Sequence, residues 1–160
     1  RSGSGGRGGR GRRSAALAAP VAGRVAAAPP PSGTAAPACA PSVSPSDELK
    51  LAKLINAQRR AVPVPVVTRL AELRRAGRAK SLSMAGGGSF SHSGGLSWAA
   101  GRAGGQNIAM APSAAIAFTT MLKSPPHRRN MLDSAWRFGG IGAARACSGQ
   151  IYFTVNFLAP

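Results

Sequence analysis

Ser124-Pro-Pro-His-Arg-Arg-Asn-Met-Leu132 joins a helical pattern on its N-terminal side to a Gly-rich strand on its C-terminal side. Pro125 and Pro126 remove two N–H donors and favour extended backbone, which stops the helix before them. A short basic turn is expected there, with His127 on the first turn of the next segment, where an imidazole can face a cleft. Two other stretches look built to meet it: Phe90-Ser-His-Ser93 and Gly105-Gln-Asn-Ile-Ala109. The chain has 2 histidines, His92 and His127, and both fall within these three stretches. A cleft lined by His92, Gln106, Asn107 and His127 is therefore the candidate site.

The flanking sequence supplies the frame. Ser113–Lys123 reads as a helix capped by Ser113 after Pro112, with Phe118, Met121 and Leu122 on one side. Gly139–Cys147 and Ile151–Leu158 read as two strands joined by a turn at Ser148-Gly149. Ile151, Phe153, Val155 and Phe157 share one face of the second strand; Tyr152, Thr154 and Asn156 share the other. Nearer the start, Ser44-Pro-Ser-Asp47 has capping-box spacing and opens a helix to about Arg60, with Leu51, Leu54, Ile55 and Gln58 on one face. Ala61–Val67, with prolines at 63 and 65, is an extended linker. A second helix from about Leu70 to Met84 places Leu70, Leu73, Gly77 and Met84 on a stripe. Lys80 falls on the same stripe, either as a snorkelling lysine at the helix edge or as a cation facing the histidines. Gly86-Gly-Gly88 ends that helix, and Gly94–Gly105 reads as loop with one helical turn around Trp98.

A length of 160 residues allows one domain plus a tail, divided here as residues 1–45 and 46–160. Apolar residues make up 44% but aromatics only 5%, so Phe90, Trp98, Phe118, Trp136, Tyr152, Phe153 and Phe157 are expected to supply most of the core bulk. The net charge is +17. Six arginines (Arg1, Arg7, Arg10, Arg12, Arg13, Arg24) precede Cys39, so 15 basic against 4 acidic residues still leave the rest at +11. Such a field favours anionic partners: nucleic acid, phosphate-rich wall polymers or acidic lipid heads. A GC-rich genome, which inflates Arg, Ala, Gly and Pro together, is the alternative cause.

The first 45 residues read as a disordered Gly/Arg/Ala/Pro-rich tail, since a Gly-rich chain without hydrophobic period cannot offset the entropy of ordering. Ser14–Ala28 is Ala/Val-rich, comes after Arg12-Arg13 and precedes Ala38-Cys39-Ala40, an imitation of a signal peptide interrupted by Pro20, Gly23 and Arg24. The Arg-Gly run lacks interleaved aromatics on which RNA bases would stack. No run is long and apolar enough to span a membrane. Cys39 and Cys147 permit one intrachain disulfide; two buried thiols are the other reading.

Taken in order, LINAQRR at 54–60, FSH at 90–92, GQNIA at 105–109, SPPHRRNML at 124–132, GGIG at 139–142 and YFTVNF at 152–157 resemble the CAP domain, also called SCP, in its bacterial secreted branch. The resemblance spans about Ser46–Leu158. It implies an α+β fold, an α-β-α sandwich with a small antiparallel sheet between helical layers. It also implies a secreted or extracellular location and a central cleft carrying histidines and acids. His92 matches the histidine of the family's F-x-H element and His127 that of its S-P-x-H-R element. Gln106 stands where the family has glutamate, Phe118 where it has the third-helix Trp with Thr119 and Thr120 in place of an acid, and Lys80 where many bacterial members carry histidine. The histidine pair is kept and the carboxylates are lost.

Three functions fit these residues. With the acids gone, the domain reads as a monomeric, non-catalytic binding module at the cell envelope, its cleft open to an apolar, lipid or envelope ligand. Alternatively, His92 and His127 hold a divalent cation such as zinc and support hydrolysis, although two imidazoles make a thin site and glutamine poorly replaces a carboxylate. Asp133 is the nearest candidate for a supporting acid. Ser91 and Ser93 flank His92 but complete no Ser-His-acid triad. The third reading is an anionic-polymer binder acting through the basic surface.

Overall fold

The structure, a computed structural model, describes residues 39–160. The signal-like segment and the Gly/Arg run lie outside the described residues. The elements in order are β1 (Ser42–Val43), α1 (Pro45–Ala61), β2 (Thr68–Arg69), α2 (Ala71–Ala85), a 3-10 turn (Ser97–Ala99), β3 (Gly104–Ala111), α3 (Ala114–Lys123), α4 (Pro125–Leu132), β4 (Phe138–Arg145) and β5 (Ile151–Leu158).

The sheet runs β1-β4-β5-β3, and β2 pairs in parallel with the other end of β4's outer edge. All other pairings are antiparallel. Helix α2 lies on β4 and β5 on one side, while α1, α3 and α4 pack together on the opposite side, an α-β-α sandwich. The tail expected to run to residue 45 therefore ends sooner: Ser42 and Val43 already pair with Arg145 and Ala144. A disulfide between Cys39 and Cys147, with Cα atoms 5.8 Å apart, ties this entry to the β4–β5 connection.

β5 has two buried faces. Its odd residues Ile151, Phe153, Val155 and Phe157 join the larger core with Leu51, Ile55, Met121 and Met131. Its even residues look at α2, where Thr154 and Asn156 are fully buried yet satisfied. Thr154 Oγ1 accepts from Ser81 Oγ at 2.9 Å, and Asn156 Nδ2 donates to Leu73 O at 2.9 Å. A buried polar group must be paired in this way to avoid its desolvation cost. The Gly-rich β4 answers to the same helix: a Cβ on Gly142 would overlap the backbone of Gly77 and Arg78. Helix and strand backbones meet there because neither Gly77 nor Gly142 has a side chain.

The expected core needs one correction. Phe90 is 53% exposed and rests edge-on against Tyr152 with ring centroids 6.1 Å apart. Its loop lies beyond the shelter of α2, so its apolar ring has little to pack against. Trp136 and Phe157 stack in the interior at 6.2 Å.

Candidate functional site

The stretch 124–132 forms a helix where a basic turn was expected. Pro125 and Pro126 occupy the first two positions of α4. The N–H of those positions has no partner in any helix, so proline costs nothing there and its fixed φ favours the start. Ser124 is the N-cap, which makes His127 the third helical residue. Their side chains meet, His127 Nδ1 to Ser124 Oγ at 2.8 Å, the same N-cap-to-third-residue spacing as a capping box. Ser124 was not singled out from sequence, although the S-x-x-H spacing carried the signal.

GQNIA lies in a strand, β3, which begins at Gly104 within the stretch expected as loop. Neighbouring residues on a strand point to opposite faces, and this separates the two amides. Gln106 faces the α2 side: Oε1 accepts Ser93 N–H at 2.9 Å, while Nε2 donates to Ser93 Oγ at 3.1 Å and to Asn156 Oδ1 at 2.9 Å. Asn107 faces the α4 side: Nδ2 donates to His127 O at 2.9 Å, and Oδ1 accepts from Asn130 Nδ2 at 2.8 Å. Asn130 O in turn accepts from Trp136 Nε1 at 2.7 Å. Each amide thus fastens the segment that bears one histidine, and neither spans the space between the two rings. Gly105 keeps this arrangement possible, because a Cβ there would overlap Asn130 Oδ1 and crowd the Trp136 ring at 2.9 Å.

β3 is an edge strand, tied through Gln106 to the loop of His92 and through Asn107 to the helix of His127. His92 is exposed and His127 half-buried. Burial pushes the His127 imidazole below the ordinary histidine value, and the charge of His92 adds to the fall. Both effects favour the neutral form of His127.

Three of the 4 acids are committed elsewhere, and Glu72 lies in the first turn of α2. Glu48, nearly fully buried, holds Arg78 in a two-pronged pair at 2.7 Å per contact. Asp47 accepts from Ser44 Oγ at 2.6 Å and pairs with Arg145 at 3.4 Å. Asp133 Oδ1 turns into its own loop and accepts Ala135 N–H at 2.8 Å. Lys80 is half-buried on α2 and makes no hydrogen bond or ion pair among the described residues. Among those residues no group of three or more His, Cys, Asp or Glu gathers as for a metal. The donor set is short for zinc: it offers two imidazoles, and the glutamine oxygen that would stand third holds Ser93 N–H.

One residue essential to the site's support escaped the sequence reading. Arg59, fully buried at the end of α1, donates from Nε to Pro65 O at 2.7 Å, from Nη1 to Met131 O at 2.7 Å and from Nη2 to Asp133 O at 3.0 Å. It takes up the carbonyl groups at the C-terminal end of α4, the helix that carries His127. Burial lowers its pKa and Asp133 opposes the fall; a guanidinium remains charged in either case.

Solved structures share this architecture. An extracellular protein containing an SCP domain from Bacillus anthracis is 21% identical with a TM-score of 0.62, covering 72% of this chain and 41% of its own. A cysteine-rich secretory protein from Staphylococcus aureus is 19% identical with a TM-score of 0.60, covering 72% of this chain and 39% of its own. An outer surface protein from Borrelia burgdorferi is 12% identical with a TM-score of 0.66, covering 74% of this chain and 97% of its own. The chain thus spans about two-fifths of the Bacillus and Staphylococcus proteins and nearly all of the Borrelia one. At these identities the likeness is one of fold. No curated protein matches the sequence. The sequence model of the cysteine-rich secretory protein family, CAP, matches residues 52–157, well over half the chain, and the protein belongs to that family.

Proposed function

We propose that this CAP domain is secreted and acts as a binding module at the cell envelope or outside the cell, with the space between His92 and His127 as its ligand site. The observation that supports it most is the amide of Gln106. It uses its oxygen and its nitrogen to fix the His92 loop and Asn156, where general acid–base chemistry would need a carboxylate free to exchange a proton. Neutral His127, with Nδ1 engaged by Ser124, offers Nε2 to a neutral polar group such as a hydroxyl or amide. Secretion is supported by the family, by the extracellular and outer-surface relatives in fold, and by the Cys39–Cys147 disulfide, which persists in oxidising compartments.

The test is a calorimetric Zn²⁺ titration of the full chain beside the His92→Ala, His127→Ala double variant. The expected result is the same heat from both proteins. Stoichiometric binding at micromolar affinity or better, abolished in the double variant, would overturn the reading and make metal-assisted hydrolysis the function to pursue.

A further inference from the structure

A cavity of about 320 Å³ opens between α1 and α2 and shares no residue with the histidine site. Ligand pockets start at about this size. Its walls are aliphatic and aromatic: Ala52, Ile55, Val67, Leu70, Ile141 and Phe157. Its floor is a break in the sheet edge. β1 covers β4 opposite Ala144 and Arg145, and β2 covers it opposite Phe138 and Gly139. Ile141, between them, lines the cavity and has a strand, β5, on its inner side alone.

The rim is cationic. Arg69 and Arg74 line the cavity. Ala52, Asn56 and Arg69 continue it into a shallow groove completed by Leu49, Lys53 and Arg60. None of the four cations is in an ion pair; the pairs among the described residues are Arg78–Glu48 and Arg145–Asp47. Glu48, which also lines the cavity, is thereby neutralised, and Glu72 is the remaining acid on the adjoining turn of α2. Leu49 is 42% exposed in the groove and so is Val66, beside the lining Val67. A single soluble amphiphile could fill the cavity but would leave Leu49, Lys53 and Arg60 untouched. A flat anionic surface with an apolar layer beneath engages all of them.

We propose that this face docks the protein on an anionic lipid bilayer. Lys53, Arg60, Arg69 and Arg74 meet the headgroups, and Leu49 and the cavity mouth meet the acyl layer. The experiment is vesicle co-sedimentation of the full chain, with phosphatidylglycerol–phosphatidylcholine against phosphatidylcholine alone. Two exposed triples carry the same charge change: Lys53→Glu, Arg60→Glu, Arg69→Glu on the face, and Lys123→Glu, Arg128→Glu, Arg129→Glu away from it. Binding is expected to anionic vesicles only and to weaken with salt. The face triple is expected to lose roughly a hundredfold or more in affinity, the other triple only a few-fold, and Leu49→Ser roughly tenfold. Equal losses in the two triples would reduce the effect to net charge. Unchanged binding by both triples would place it elsewhere in the chain. Absence of vesicle binding, or uptake of monomeric dodecyl phosphate without it, would also overturn the proposal, the last by making the cavity a site for a soluble amphiphile.

Discussion

Arg59→Met is the sharpest probe of how the fold holds its site. The guanidinium makes three short bonds to Pro65 O, Met131 O and Asp133 O, and a longer one to Trp136 O at 3.4 Å. Charge-assisted bonds contribute about 1.5–3 kcal/mol each, so three carry roughly 5–9 kcal/mol gross. Burying a guanidinium costs several kcal/mol, which methionine avoids. The carbonyls, however, stay behind without donors. The net loss comes to about 3 kcal/mol, a large part of a typical stability of about 5–15 kcal/mol. Urea unfolding monitored by far-UV circular dichroism should show the midpoint fall by about 2 M for a slope near 1.5 kcal/mol/M. Arg59→Lys should recover less than half of this, because one ammonium cannot reach carbonyls spread as a fork. The loosened end of α4 should also move the His127 imidazole resonances. A midpoint shift below about 0.5 M with an unchanged slope would refute the reasoning and make Arg59 a space-filler.

Two further outcomes concern charge and covalent linkage. Because the His127 pKa is lowered in the folded state, the unfolded chain binds more protons as pH falls below about 6.5. The stability contributed by neutral His127 is therefore complete above that pH and is lost as pH falls through the folded value. His92→Ala removes the repelling charge and should raise the His127 pKa, read directly by NMR titration; no change would mean burial alone sets it. Cys39→Ser, Cys147→Ser should cost about 2–5 kcal/mol in thermal unfolding, since the bridge spans a separation of 108 residues. A loss under about 1 kcal/mol would show that β1 is held without it.

What the sequence reveals depends on where the deciding forces act. α1, α2 and α3 are legible because their stripes are local; of the two expected caps, Ser113 does accept Ile116 N–H at 3.3 Å, whereas the Ser44 hydroxyl turns to Asp47 and caps nothing. The β4–β5 turn is legible for the same reason: Gly149 takes a φ of +85° that favours glycine. β3 is hidden because both its faces are mostly covered, so Gln106–Ala111 shows no clean alternation. α4 is hidden because the proline pair that ends one helix also begins the next. The histidine-bearing stretches are legible as a candidate site, whereas the division of labour between Gln106 and Asn107 depends on strand parity. Arg59 looks like any basic residue near a helix end, since its carbonyl partners on Met131, Asp133 and Trp136 lie 72 to 77 residues away in sequence.

The order of synthesis gives the central position of β5 a kinetic meaning. β5 lies between β4 and β3, yet of all the described elements it comes latest along the chain. Until residues 151–158 have been made, β3 and β4 have no common neighbour, α2 lacks part of its floor, and Thr154 and Asn156 cannot pair with Ser81, Leu73 and Gln106. Closing the sheet therefore waits for nearly the whole of this sequence and proceeds through long-range contacts, which fold slowly. A chain built in this way stays loose while it is being made, the condition a polypeptide needs if it is to be threaded through a membrane before it folds.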